Sequence, residues 1–129
     1  FYTVGEKERL IGNYAFDTEF GPVIGFENHS GRTYLGKGVA PLGKMVSGYG
    51  NNGRDGTEGV HYKNTFCTYS HGPVLPKNPA LADKLIETAM RRRDPSFTLT
   101  PLDDSAEDFA RDQVERLYIH QQSGKKHKK

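Results

Sequence analysis

The segment Pro73-Val74-Leu75-Pro76-Lys77-Asn78-Pro79 divides this chain, and neither a helix nor a central strand can run through it. Proline removes a backbone donor and fixes φ, and it pushes the residue before it towards extended conformations. Ahead of this connector the chain alternates strand-like runs with glycine-rich turns. Behind it, apolar residues recur at helical spacing. Strands first and helices last is the order of an α+β unit, or of the terminal half of an α/β domain.

In the first part, residues 10–16 and 23–26 read as strands, and Asp17-Thr18-Glu19-Phe20-Gly21-Pro22 between them has the residues of a hairpin turn. Phe1-Tyr2-Thr3-Val4 is strand-like as well. Residues 27–36 read as a polar segment with a short apolar return, and residues 43–47 as a weaker strand. Residues 57–69, rich in β-branched and aromatic side chains, read as one strand with room for a single bulge.

In the second part, Asn78 suits an N-cap and Pro79 the first helical position. Leu81, Leu85, Ile86, Ala89 and Met90 form one apolar stripe. Arg91, Arg92 and Arg93 then complement the helix dipole before Asp94-Pro95 stops the helix. Ser105 with Asp108 resembles a capping box. Phe109, Ala110, Val114, Leu117 and Tyr118 make a second stripe, with Asp112 and Arg116 one turn apart. From Gln121 the chain turns polar and lysine-rich, a composition that predicts disorder. The expected divisions are 1–93, a helical extension over 94–122, and a basic tail over 123–129.

With 129 residues, 26% charged and 34% hydrophobic, the chain suits one polar globular domain. Part of the net charge of +2 resides in Lys125-Lys126-His127-Lys128-Lys129, so no basic patch for nucleic acid is expected. The single cysteine, Cys67, excludes an internal disulfide framework and suits a reducing compartment. No apolar run approaches the ~20 residues of a membrane span, and no signal-peptide pattern opens the chain. The first residue is Phe1, which predicts a segment of something longer.

His71 is the strongest candidate for chemistry, because a strand followed by His-Gly-Pro presents a titratable group at the edge of a rigid scaffold. As a general base it needs a nucleophile within hydrogen-bond reach. Cys67, four residues earlier on the same expected strand, would lie about 13 Å away, so it reads as a packed strand residue instead. His29, His61, His71 and Cys67 show no metal-ligand spacing, and no metal is expected. Gly48-Tyr49-Gly50-Asn51-Asn52-Gly53 spells GxGxxG, but no helix follows to bind a phosphate. Its asparagines and backbone amides suit a small polar ligand instead.

Arg9-Leu10-Ile11-Gly12-Asn13, the run from Gly25 to Leu35 (GFENHSGRTYL), Gly48–Gly53, Asp55-Gly56-Thr57-Glu58-Gly59 and the run from Tyr69 to Pro79 (YSHGPVLPKNP) together resemble the C-terminal half of CobB/CobQ-like class I glutamine amidotransferases. Within that class they resemble the glutaminase subunits of lipid II isoglutaminyl synthases. The resemblance spans roughly residues 1–93; nothing from Asp94 onward takes part in it. It implies an α/β parent fold, a cysteine nucleophile on a sharp elbow, a histidine base and no cofactor.

The matching histidine is His71. Arg9 corresponds to the arginine that holds the substrate glutamine, a bidentate match of guanidinium to α-carboxylate. Asn51 and Asn52 are expected to line the pocket. The thiol is expected upstream of Phe1, Cys67 does not inherit its role, and the segment alone is expected to be inactive. Many relatives place a glutamate two residues after the histidine, where this chain has Pro73, so the resemblance implies an orienting aspartate from a partner. That partner would be an ATP-dependent, Mur-ligase-like (MurT-like) subunit, forming a cytoplasmic heterodimer that amidates the D-glutamate of lipid II. The alternatives are a cobyrinate- or cobyrate-type amidotransferase, or a non-catalytic interaction module in which His71 is structural.

Overall fold

A computed structural model describes residues 1–119. Two long strands, β1 (Tyr2–Thr18) and β2 (Gly21–Tyr34), form an antiparallel hairpin running from Tyr2↔Tyr34 to Thr18↔Gly21. Its turn falls inside the predicted one. The Thr18 hydroxyl donates to the Gly21 carbonyl at 2.7 Å and accepts the Phe20 N–H at 3.2 Å. The expectation of shorter strands, with residues 27–36 as a polar segment, is corrected: β2 runs through that segment to Tyr34. Its polarity does not end the strand, because Glu27, His29 and Arg32 are buried and hydrogen-bonded.

β3 (Gly43–Ser47) pairs antiparallel with β1 where a weak strand was expected, and β4 (Thr57–Glu58) pairs with β3, giving the order β2-β1-β3-β4. The single strand expected over 57–69 is instead β4, β5 (Val60–Tyr62) and β6 (Thr65–Cys67), the last two forming a separate hairpin. Backbone conformation makes the breaks: Gly59 has φ 64° between β4 and β5, and Lys63 has φ 55° in the β5–β6 turn. β6 ends at Cys67, so Cys67 and His71 do not share a strand. His71 rejoins the sheet only as an isolated bridge to Phe26 on β2.

Tyr14 and Phe16 lie on one face of β1 and Ala15 on the other, as the two-residue period of a strand requires. On the first face they pack with Val23, Leu42 and Leu81, and on the second Ala15 and Ile24 meet Val114. Each large apolar side chain buried there is worth about 1.5–3 kcal/mol. Leu81 belongs to α1 (Pro79–Arg91) and Val114 to α2 (Ser105–Val114), so a helix touches each face of the hairpin. A π-type turn, Glu115–Ile119, extends α2. Strands therefore precede two helices, as expected, and every strand pairing among the described residues is antiparallel.

The helix termini differ from expectation in detail. Asn78 is the residue before α1, yet its side chain does not cap the helix. It is buried and mimics a strand, accepting the Ile24 N–H at 2.8 Å and donating to the Ile24 and Val74 carbonyls. The capping box does not form. Ser105 is the first helical residue, Asp104 precedes it, and Asp108 pairs with Arg111 at 3.1 Å. Asp112 likewise sits 3.9 Å from Arg111. Little of either apolar stripe is buried: Ile86, Met90, Phe109 and Leu117 are exposed. No helix among the described residues is long and apolar enough to cross a membrane. The disorder expected from Gln121 and the basic tail fall outside the described residues.

Candidate functional site

Strand β2 organises the site. Its two-residue alternation turns Gly25, Glu27 and His29 to the buried side. The Glu27 carboxylate, fully buried, accepts the N–H groups of Tyr49 at 2.8 Å and Gly50 at 3.0 Å. This anchors the loop Gly48–Gly53 against the hairpin. The approach is close: a Cβ on Gly48 would meet Tyr14 and Glu27. His29 Nε2 lies 3.4 Å from Glu27, and its Nδ1 is 2.8 Å from the Gly31 carbonyl. A carbonyl only accepts, so Nδ1 carries a proton. His29 also stacks on Tyr69 at 3.6 Å, so this histidine is structural.

Asn51 and Asn52 are buried, and their side-chain amides are engaged by neighbouring segments. Asn51 donates to the Gly59 carbonyl and accepts the Gly59 N–H, both at 2.9 Å. Asn52 donates to the Thr33 carbonyl and to Asp55, and accepts the N–H groups of Arg54 and Asp55. They shape the loop wall rather than present free amides. Asn51 also lines a cavity of about 170 Å³ with Thr3, Thr33, Cys67, Thr68 and Tyr69. Neither Arg9 nor His71 lines that cavity.

Arg9 sits in a bulge of β1. Register passes from Gly5↔Gly31 to Leu10↔His29, so Glu6, Lys7, Glu8 and Arg9 oppose Ser30 alone. Such bulges re-aim side chains. The Arg9 guanidinium donates to the Asn28 side chain and the Asn28 carbonyl, both at 2.7 Å. Two of its five N–H donors are thus engaged, and three stay available on an exposed group. Arg32 braces the same bulge, donating to the Glu8 carbonyl at 2.9 Å.

His71 donates its backbone N–H to the Phe26 carbonyl at 2.8 Å. Its imidazole is exposed and takes no hydrogen bond among the described residues. The peptide between Gly72 and Pro73 is cis. Just before His71, Glu58 gathers residues 68–70. Its fully buried carboxylate accepts the Thr68 hydroxyl at 2.8 Å, the Tyr69 N–H at 2.7 Å and the Tyr14 hydroxyl at 3.1 Å. Burial pushes the Glu58 carboxyl above its ordinary range, and burial beside Glu58 does the same to the Tyr14 phenol. Among the described residues, no three His, Cys, Asp or Glu side chains group as a metal site. His61 is engaged by Glu19 and the Lys63 carbonyl.

The fold thus fastens Arg9 and His71 to Asn28 and Phe26 of one strand, and holds the asparagine loop behind it through Glu27. Sequence reasoning missed Glu27 and Glu58. The alternation that starts at Val23 could have placed Glu27 on the buried face. Glu58 carries no comparable signal, since its two-residue strand lies among glycines.

The chain belongs to the CobB/CobQ-like glutamine amidotransferase domain family, whose family model matches residues 1–79. Over 108 residues it is 46% identical to lipid II isoglutaminyl synthase (glutamine-hydrolyzing) subunit GatD of Staphylococcus aureus (strain N315), a match covering 83% of this chain and 44% of that protein. It is 45% identical over 98 residues to the subunit of the same name from Streptococcus pneumoniae (strain ATCC BAA-255 / R6), covering 71% of this chain and 36% of that protein. The chain therefore spans less than half the length of the curated relatives it matches.

Proposed function

We propose that these residues form the C-terminal half of a glutaminase subunit. That subunit releases ammonia from glutamine for a Mur-ligase-like, ATP-dependent partner in the cytoplasm, which amidates the D-glutamate of lipid II. The nucleophilic thiol is supplied from outside residues 1–129. The relationship to two GatD subunits carries this reading, and the attachment of Arg9 and His71 to neighbouring positions of β2 supports it. Residues 1–93 make the amidotransferase half, and α2 belongs to an appended segment.

In this mechanism the Arg9 guanidinium, held by Asn28, binds the α-carboxylate of glutamine through its remaining donors. His71 takes the thiol proton, and the thiolate attacks the side-chain amide carbon. The imidazolium returns that proton to the leaving nitrogen, so ammonia departs and a thioester remains. His71 then deprotonates a water that hydrolyses the thioester to glutamate, regenerating the thiol. An aspartate from the partner orients the imidazole in place of the acid that Pro73 replaces.

The test is glutamate release by the full-length subunit with its partner. His71→Ala should lower turnover at least about 100-fold while the melting temperature holds, since the imidazole is exposed. Unchanged turnover would overturn the assignment. A free full-length subunit as fast as the complex would overturn the role given to the partner's aspartate.

A further inference from the structure

We propose that Glu58 is the positioning residue for His71, its buried carboxylate setting the backbone that presents the imidazole. The inference rests on the glutaminase reading above and deepens it. Glu58 lies on the two-residue strand β4, is fully buried, and has no cationic partner among the described residues. Its Oε2 has no hydrogen-bond partner among the described residues. A carboxylate so placed is costly to bury. What it achieves there runs through Oε1.

Three donors converge on that one oxygen, and each ties down part of the segment leading to His71. Thr68 donates its hydroxyl and Tyr69 its backbone N–H. Tyr14 donates its only hydroxyl proton to Glu58, so the Ser70 hydroxyl, 2.7 Å from the Tyr14 oxygen, is the donor in their bond. Thr68 Oγ1 also accepts the Ser70 N–H at 3.0 Å. Each of residues 68–70 is thus joined to Glu58 directly or through one further bond, and His71 then docks on Phe26. Packing closes the arrangement from β2, where a Cβ on Gly25 would press on Ser70 and Tyr14 at 2.9 and 3.0 Å. Among the described residues the imidazole has no hydrogen bond of its own, so its place is set by the backbone that Glu58 holds.

Positioning of a base and simple structural support separate in kinetics. In the full-length subunit with its partner, Glu58→Ala should lower kcat for glutamate release about 10- to 100-fold. KM for glutamine should change less than about twofold, because Arg9 is untouched. Glu58→Gln keeps a carbonyl acceptor for the three donors and should recover kcat to within about threefold of wild type. Tyr14→Phe removes the hydroxyl that joins Ser70 to Glu58 while Thr68 and Tyr69 stay bound to the carboxylate; it guards against an alanine variant that fails to fold, and should lower kcat about three- to tenfold. Wild-type kcat in Tyr14→Phe, or KM rising in step as kcat falls, would overturn the proposal. His71→Ala in parallel separates the two levels. Loss of turnover there, with none in Tyr14→Phe, overturns this inference alone, whereas unchanged turnover there removes the glutaminase reading and the inference with it.

Discussion

His71 docks its backbone N–H on the carbonyl of Phe26 at 2.8 Å, and the next residue but one on that strand, Asn28, receives the Arg9 guanidinium at 2.7 Å. Strand β2 therefore acts as a ruler between two groups that arrive from its opposite sides. One comes from the bulge of β1, the other from the segment that follows β6.

Arg9 is exposed and carries none of the core, so its removal should be read in substrate binding and not in folding. Arg9→Ala should raise KM for glutamine at least about tenfold, the loss expected of a charge-assisted carboxylate contact, with the melting temperature unchanged. Arg9→Lys should fall between, since an ammonium cannot reproduce the fork. Steady-state kinetics of glutamate release in the full-length complex measure both.

Asn78 joins the start of α1 to Ile24 by two hydrogen bonds and to Val74 by a third, in a buried position. Asn78→Ala leaves those backbone groups unpaired and should cost about 2–4 kcal/mol in urea denaturation. Asn78→Asp should be at least as damaging, because an acceptor would then face the Ile24 and Val74 carbonyls.

Glu58 makes stability depend on pH with a definite sign. Burial raises its carboxyl in the folded protein above the ordinary value of 4.5, so the native state holds that proton more tightly than the unfolded chain does. Its contribution is most favourable below 4.5 and is lost as the pH rises from there through the raised value. Asp55 acts in the opposite sense: burial raises its carboxyl, but the hydrogen bonds from Thr57 and Asn52 together outweigh that and lower it. Comparing wild type with Glu58→Gln cancels the opposing effect of Asp55. The stability of wild type relative to Glu58→Gln should fall steadily as urea midpoints are taken from below pH 4.5 towards neutrality.

Gly48 has φ 102° and faces Tyr14 and Glu27 without space for a side chain. Gly48→Ala adds backbone strain and a steric clash, and should cost at least about 2 kcal/mol. Because the same change pushes the loop from the Glu27 carboxylate, hydrogen exchange at Tyr49 and Gly50 should accelerate along with the drop in midpoint.

Cys67 lines the cavity beside Thr68 and Tyr69, partly buried and free of any disulfide. Cys67→Ser should leave glutamate release in the full-length complex within about twofold of wild type. A loss comparable to that of His71→Ala would make Cys67 the nucleophile.

The hairpin turn, the strand at 43–47, the first helix and the proline connector are all visible in the sequence, because local backbone chemistry sets each of them. The strand ends were not. Glu27, His29 and Arg32 look like solvent-facing residues in a row, and only the partners brought by the 48–53 loop and the β1 bulge make their burial possible. The division of 57–69 was hidden for a related reason: β-branched and aromatic residues favour strand, while the left-handed backbone at Gly59 and Lys63 interrupts it.

By itself the sequence determined the order of the elements, the family, and the candidates His71 and Arg9, since these depend on residue types in local patterns. Tertiary structure decided how they are held. A bulge has no period to betray it, so Arg9 on Asn28 could not be foreseen. Nor could the engagement of the Asn51 amide by Gly59 and of the Asn52 amide by Thr33 of β2, or the meeting of Glu58 and Tyr14 beneath the histidine segment. The bonds of Asn51, Asn52, Glu58 and Tyr14 are made in a buried setting, where an unpaired polar group is too costly to leave, and no local pattern records which partner the folded chain will bring.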